Sequence, residues 1–206
     1  MIRHQIHIEN PHTRIMARAV EALQSGGIII YPTDTIYGIG CSIYKKNAIE
    51  KLYKIKGKSK FESMSMICGS IQQAAEYVHI STFTFRFLKK CFPGPFTIIL
   101  QAKHQVAKLM LSRQKEIGIR IPDSQVCQLL VKELGHPILN TSLTTAEDDE
   151  SFYPDFGSDD HYTEAAEMML DAGLLEEFIE STVLRIKESE IEIIREGKGD
   201  IERLFA

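Results

Sequence analysis

The chain has 206 residues, 44% hydrophobic and 25% charged, and carries a net charge of −4. That composition suits a soluble globular protein with a sizeable core and excludes global disorder. An acidic balance argues against a protein that coats nucleic acid over its whole surface, and still leaves room for a local basic patch.

The first ten residues carry His and Arg but no apolar run, so no secretory leader is expected. No stretch approaches the roughly 18–20 apolar residues needed to cross a bilayer. The four cysteines, Cys41, Cys68, Cys91 and Cys127, form no C-x-x-C pair. Their scatter predicts buried thiols in a reducing compartment, and hence a cytoplasmic protein.

In chain order, Ile15, Ala19, Val20 and Leu23 recur at helical spacing over 14–24, and Gly26-Gly27 stops that helix. Ile28 to Tyr31 is a short apolar run ending at Pro32, which reads as a buried strand entering a loop. A helix is predicted over 46–56, a strand over 64–68, and helices over 71–77 and 81–91. Pro93-Gly94-Pro95 breaks the chain before a strand at 96–100. A basic helix over 104–113 follows, then an alternating strand at 117–121. Asp123 or Ser124 can cap the next helix, which Gly135 closes. Residues 137–141 read as a strand, and the acidic stretch 144–162 as a loop. A helix over 163–171 and strands over 181–186 and 190–195 complete the chain. The alternation favours an α/β fold, one sheet flanked by helices, mixed rather than all parallel because the order breaks near the end.

Three features could carry chemistry. Thr33 to Gly40 follows a buried strand, so its hydroxyls and backbone collect at a strand end, where ligands of open α/β sheets bind; a polar turn with glycines explains the same residues equally well. Seven lysines, at 45, 46, 51, 54, 56, 58 and 60, fall within sixteen residues against the single acid Glu50. Lys56 and Lys58 lie at or beyond the helix end, where they can neutralise phosphate, whereas Lys45, Lys46, Lys51 and Lys54 fit a solvated helix face. Arg120 sits on the opposite strand face from Ile117, Ile119 and Ile121. It must pair with a carboxylate or face a ligand anion, with the balance toward the ligand. Ser142, Ser181, Thr182 and Arg195 lie at strand ends and are weak signals individually. There is no G-x-x-x-x-G-K-[ST] loop, no G-x-G-x-x-G after a strand, and no G-x-S-x-G elbow. The histidines show no metal-ligand spacing, so no protein-held metal is predicted.

Ile30 to Gly40 resembles the opening motif of the YrdC-like family. Lys56-Gly57-Lys58, Pro93-Gly94-Pro95-Phe96-Thr97, Ile117 to Asp123, Ser181-Thr182-Val183 and Ile194-Arg195-Glu196-Gly197 are similar, in order, to that family's later motifs. The resemblance covers residues 12–200 as one domain, with 1–11 and 201–206 as terminal extensions. It implies a twisted mixed sheet wrapped by helices, with a basic concave face. It also implies synthesis of threonylcarbamoyl-AMP from ATP, bicarbonate and L-threonine for tRNA threonylcarbamoyladenosine modification, with Mg²⁺ accompanying ATP, or binding of double-stranded RNA or tRNA. Carried over by resemblance, Lys56 and Lys58 would be catalytic. Lys56, Lys58, Ser142, Thr144 and Arg195 would bind the nucleotide, and Thr35, Arg120, Ser181 and Thr182 would bind threonine.

Lys58 stands where the synthases have arginine, so a bidentate fork becomes a point charge. Ser63-Met64 replaces their Pro-Leu, and Ser142-Leu143-Thr144 their Ser-Ala-Asn. A threonine hydroxyl cannot replace both the carbonyl and the amide of asparagine. These departures resemble the YciO branch. They set a second expectation beside the enzyme: a catalytically weak or inactive paralogue that binds nucleotide or double-stranded RNA.

Overall fold

The computed structural model describes residues 1–55, 64–104, 106, 115–143 and 161–205, and the structural statements below concern these. The elements are β1 (Ile2–Gln5), α1 (Thr13–Ser25), β2 (Ile28–Tyr31), β3 (Gly38–Ser42), α2 (Lys46–Ile55), β4 (Ser65–Ile67), α3 (Ile71–Ala74), α4 (Thr82–Cys91), β5 (Phe96–Gln101), β6 (Glu116–Arg120), α5 (Gln125–Leu134), β7 (Ile138–Ser142), α6 (His161–Ala165), β8 (Met168–Asp171), β9 (Thr182–Lys187), β10 (Glu190–Arg195) and α7 (Glu202–Phe205).

Local chemistry sets several boundaries. Serines cap α3, α4 and α5: the side chains of Ser70, Ser81 and Ser124 accept from the backbone N–H three residues on. Of the two cap candidates for α5, Ser124 takes the role, and the Asp123 N–H is used elsewhere. Gly26 and Gly135 end α1 and α5 in the left-handed region, with φ of 93° and 78°.

The described strands form one sheet in the order β1-β8-β2-β3-β7-β4-β6-β5-β9-β10. The pairs β1/β8, β2/β8, β4/β6 and β5/β9 are parallel and the others antiparallel, so the sheet is mixed, as expected.

Three readings change. Residues 38–42 are a strand, not part of a turn; β3 pairs with both β2 and β7, and the turn is confined to the residues before it. The helix expected over 163–171 gives way to the short helix α6 and to β8. Met168-Met169-Leu170 is an apolar run that fits a buried strand as well as a helix, and only the open edge of β2 decides between them. The N-terminal extension is not a tail, because β1 pairs in parallel with β8. The predicted helix over 104–113 and the acidic loop over 144–162 fall largely outside the described residues.

The sheet's two faces are covered unequally. On one face Ile28, Ile30, Ile39, Met66, Ile98, Ile119 and Leu139 pack in a cluster with Ile49 and Leu52 of α2 and Phe87 and Leu88 of α4. On the other, Ile29, Tyr31, Ile67 and Ile138 pack under Met16, Ala19 and Leu23 of α1 and Val126, Leu130 and Val131 of α5. That second cluster stops at β4. Beyond it, along β4, β6, β5 and β9, the same face presents Ser65, Gly118, Thr97, Ile99 and Val183. Among the described residues no helix covers this half of the face.

Candidate functional site

The open half-face is the floor of a cavity of about 480 Å³, whose walls include Arg120, Asn140, Thr141, Ser142, Glu180, Ser181 and Arg195. The lack of a side chain at Gly118 makes the floor possible. A Cβ there would lie 3.0 Å from Thr97 Cγ2 and 3.2 Å from Ser65 Cβ.

Arg120 ends β6 with its side chain almost wholly buried (3% exposed residue). Its Nη2 donates to Thr33 Oγ1 at 3.1 Å, to Asp34 Oδ1 at 2.6 Å, and to Thr35 Oγ1. The turn that supplies these acceptors is self-supporting. Thr33 Oγ1 accepts from the Thr35 N–H at 3.1 Å and donates to the Ile36 carbonyl at 2.6 Å. Asp34 Oδ2 accepts from the Asp123 N–H at 3.0 Å, tying the turn to the segment after β6. Of the two readings of Arg120, the carboxylate pair is present. Arg120 pairs with Asp34, and it also lines the cavity; its Nε is wholly buried and donates to nothing among the described residues.

Arg195 and Ser181 form the opposite wall. Arg195 Nη2 and Nε donate to the Ser181 carbonyl at 2.9 and 3.3 Å, and Nη1 pairs with the Glu180 carboxylate. Ser181 Oγ lies 2.8 Å from Thr97 Oγ1. Ser142, at the end of β7 opposite Gly38, completes the lining at that end.

Arg120, Ser142, Ser181 and Arg195 are thus brought together around one cavity. Thr35 reaches it only through Arg120, and its own surface opens on a neighbouring groove beside Ala172 and Lys198. Thr182 is not brought to the wall. It is fully buried, and its hydroxyl donates to the Gly199 carbonyl at 2.7 Å and accepts from the Gly197 N–H at 3.0 Å, which folds the last turn against β9. Lys56, Lys58 and Thr144 lie outside the described residues. Within the described lining stand two arginines and one carboxylate, Glu180, which pairs with Arg195; Asp34, the partner of Arg120, lines the neighbouring groove.

Ser65, Asn140 and Glu180 line the cavity without having been site candidates in the sequence, and Thr97 entered there only within the Pro93–Thr97 motif. Strand alternation could have found Asn140, since it shares a face with Ser142 two residues on. Asn140 is buried, and its Oδ1 accepts from the Tyr31 hydroxyl at 2.7 Å. Gly38 and Gly40 leave the room for that pair: a Cβ would meet Asn140 Oδ1 at 2.5 Å and the Tyr31 hydroxyl at 3.0 Å, respectively.

Burial pushes the Cys127 thiol, 3.6 Å from the Pro32 carbonyl, up to about 12, so it stays protonated and packs as a small apolar group. Among the described residues no group of three His, Cys, Asp or Glu side chains could hold a metal ion, and no helix is long and apolar enough to cross a membrane.

A mixed sheet with a cavity over one half-face, walled by two arginines and several hydroxyls, defines a class of α/β domain. The Sua5_yciO_yrdC family, described as "Telomere recombination", matches residues 21–197, and the chain belongs to this family. It is 33% identical over 202 residues to an uncharacterized protein of Haemophilus influenzae, covering 94% of each chain. It is 30% identical to YciO of Escherichia coli over 95% of each, and the crystal structure of E. coli YciO superposes with a TM-score of 0.87 over 99% of this chain and all of that one. A threonylcarbamoyl-AMP synthase of Bos taurus is 30% identical over 68% of this chain and 50% of its own. P. abyssi Sua5 complexed with L-threonine shares the fold, with a TM-score of 0.83 at 20% identity over 99% of this chain and 60% of that one.

Proposed function

We propose that the protein is an ATP-dependent nucleotidyltransferase of the L-threonylcarbamoyladenylate synthase type, acting in the cytosol and feeding tRNA threonylcarbamoyladenosine modification. The observation that carries this reading is the cavity itself, whose lining brings Arg120, Ser142, Ser181 and Arg195 together. Two guanidinium groups and several hydroxyls in one wall suit an anionic ligand. The threonylcarbamoyl-AMP synthase relative and the L-threonine complex of P. abyssi Sua5 support threonine as that ligand. The buried, unpaired cysteines support a reducing compartment.

In the reaction the amine of L-threonine takes up bicarbonate as a carbamate, with loss of water. A carbamate oxygen then attacks the α-phosphorus of ATP, and pyrophosphate leaves. Charge builds on the phosphoryl oxygens, where fixed cations are effective. Arg195 and, from the lysine run, Lys56 and Lys58 are the residues for that task, with Ser142 and Thr144 toward the nucleotide. Arg120 and Ser181 face the amino acid. Mg²⁺ enters as the counter-ion of the triphosphate, held by phosphate oxygens and water, and asks no carboxylate cage of the protein.

The test is pyrophosphate release from ATP, bicarbonate and L-threonine, with an established synthase as positive control. Threonine-dependent release is the expected result. Its absence would overturn the enzyme reading in favour of the second one, a paralogue that binds nucleotide or duplex RNA, which the departures at Lys58 and Thr144 favour. RNA binding of that kind would depend steeply on salt and would need Lys56 and Lys58.

A further inference from the structure

Asn140 stands one strand away from Ser65 and two from Gly118, in the cross-strand row that forms the cavity floor. It is a buried amide, 2% exposed, on a face otherwise built of small residues. A purely structural position of that kind would suit a short apolar side chain. The hydroxyl of Tyr31 fixes which way the amide points. Burial raises the phenol well above its usual range, so it keeps its proton, and a buried O–H requires an acceptor. The acceptor on the page is Asn140 Oδ1 at 2.7 Å. This assigns Nδ2 to the other side, where among the described residues its one hydrogen-bond partner is Ser65 Oγ, at 3.5 Å. The amide N–H₂ has two hydrogens, and the single long contact with Ser65 leaves one of them for the cavity.

We propose that Asn140 is a ligand-binding residue: its Nδ2, oriented by Tyr31, donates to an sp² oxygen of a bound acid and selects for ligands that carry one. The proposal rests on the reading of the cavity as an amino-acid and nucleotide site, and adds a contact to it. On β6, Arg120 is two residues beyond Gly118, roughly 6.7 Å along the strand. Arg120 and Asn140 therefore bracket the floor and present donors from two directions. A compact molecule with two acidic ends, such as an amino acid carboxylated on its nitrogen, has acceptors to meet both. Two oxygens are eligible for Asn140, the α-carboxylate and the carbamate.

The experiment is isothermal titration of L-threonine into the wild-type chain, Asn140→Asp, and the double variant Tyr31→Phe with Asn140→Ala. Each is run with and without bicarbonate, with L-threoninol, which lacks the carboxylate, as the comparison ligand, and folding is checked by circular dichroism. Asn140→Asp keeps the shape and the Tyr31 bond while replacing the donor with an acceptor. The double variant removes both partners, so neither is left orphaned. If Asn140 reads the α-carboxylate, both variants lose about 10- to 100-fold in affinity for L-threonine alone, and little for L-threoninol. If it reads the carbamate, the loss appears only when bicarbonate is present. Unchanged threonine affinity in two folded variants, under both conditions, overturns the assignment and leaves the functional reading standing. A wild-type chain that binds no threonine in either condition overturns the functional reading, and the assignment with it.

Discussion

Asp34 and Arg120 form a buried ion pair at 2.6 Å, with side chains 9% and 4% exposed. Replacing Asp34 with Ala leaves the guanidinium charge uncompensated and also removes the acceptor of the Asp123 N–H. Breaking a buried pair from one side costs about 3–5 kcal/mol. The hydroxyls of Thr33 and Thr35 stay on Nη2, and the cavity gives Arg120 a route to water, so the lower end of that range, about 3 kcal/mol, is expected. With a urea m-value of about 2 kcal/mol/M, the unfolding midpoint falls by about 1.5 M. The chain has no Trp, so far-UV circular dichroism is the appropriate probe. The double variant Asp34→Ala with Arg120→Met leaves no orphan charge and should be more stable than Asp34→Ala alone. A loss under about 1 kcal/mol in Asp34→Ala, or a double variant less stable than the single one, would refute this account of the turn.

Thr182→Val should lower stability by about 1–3 kcal/mol, because the Gly197 N–H loses its acceptor and the Gly199 carbonyl its donor. Its threonine affinity should stay at the wild-type value, since the hydroxyl points into the closing turn; a weakened affinity in isothermal titration would place it in the site after all. Alkaline pH should destabilise the fold. Burial raises the thiols of Cys41, Cys91 and Cys127 to about 12, above their ordinary value. The unfolded chain then loses its thiol protons first, so stability is full below about pH 9 and declines from there toward 12. Thiol-reagent titration checks the same burial, with slow labelling of Cys41, Cys68, Cys91 and Cys127 in the native protein and all four labelled in denaturant.

The sequence by itself determined a good deal. Local periodicity and caps set α1, α2, α4 and α5, because a helix needs only its own apolar stripe and its own terminal partners. The alternation at 117–121 put Gly118 and Arg120 on one face and the isoleucines on the other, and the sheet agrees. The motif order also pointed to the family to which the chain belongs. What escaped local reading depends on neighbours far along the chain. Met168 to Asp171 is a strand because β2 leaves an edge open, and no window around residue 168 contains that edge. Thr182 and Ser181 look alike in sequence, yet one hydroxyl closes a turn and the other lines the cavity, since adjacent strand residues face opposite ways. The carboxylate on Arg120 comes from 86 residues away. Asn140 became a candidate only when Tyr31, 109 residues distant, was found holding its oxygen. Tertiary structure alone decided that no described helix covers half of one sheet face, because that depends on which residues of four separate strands come together. Ser65, Gly118 and Thr97 meet there, and their small side chains leave the room that the cavity occupies.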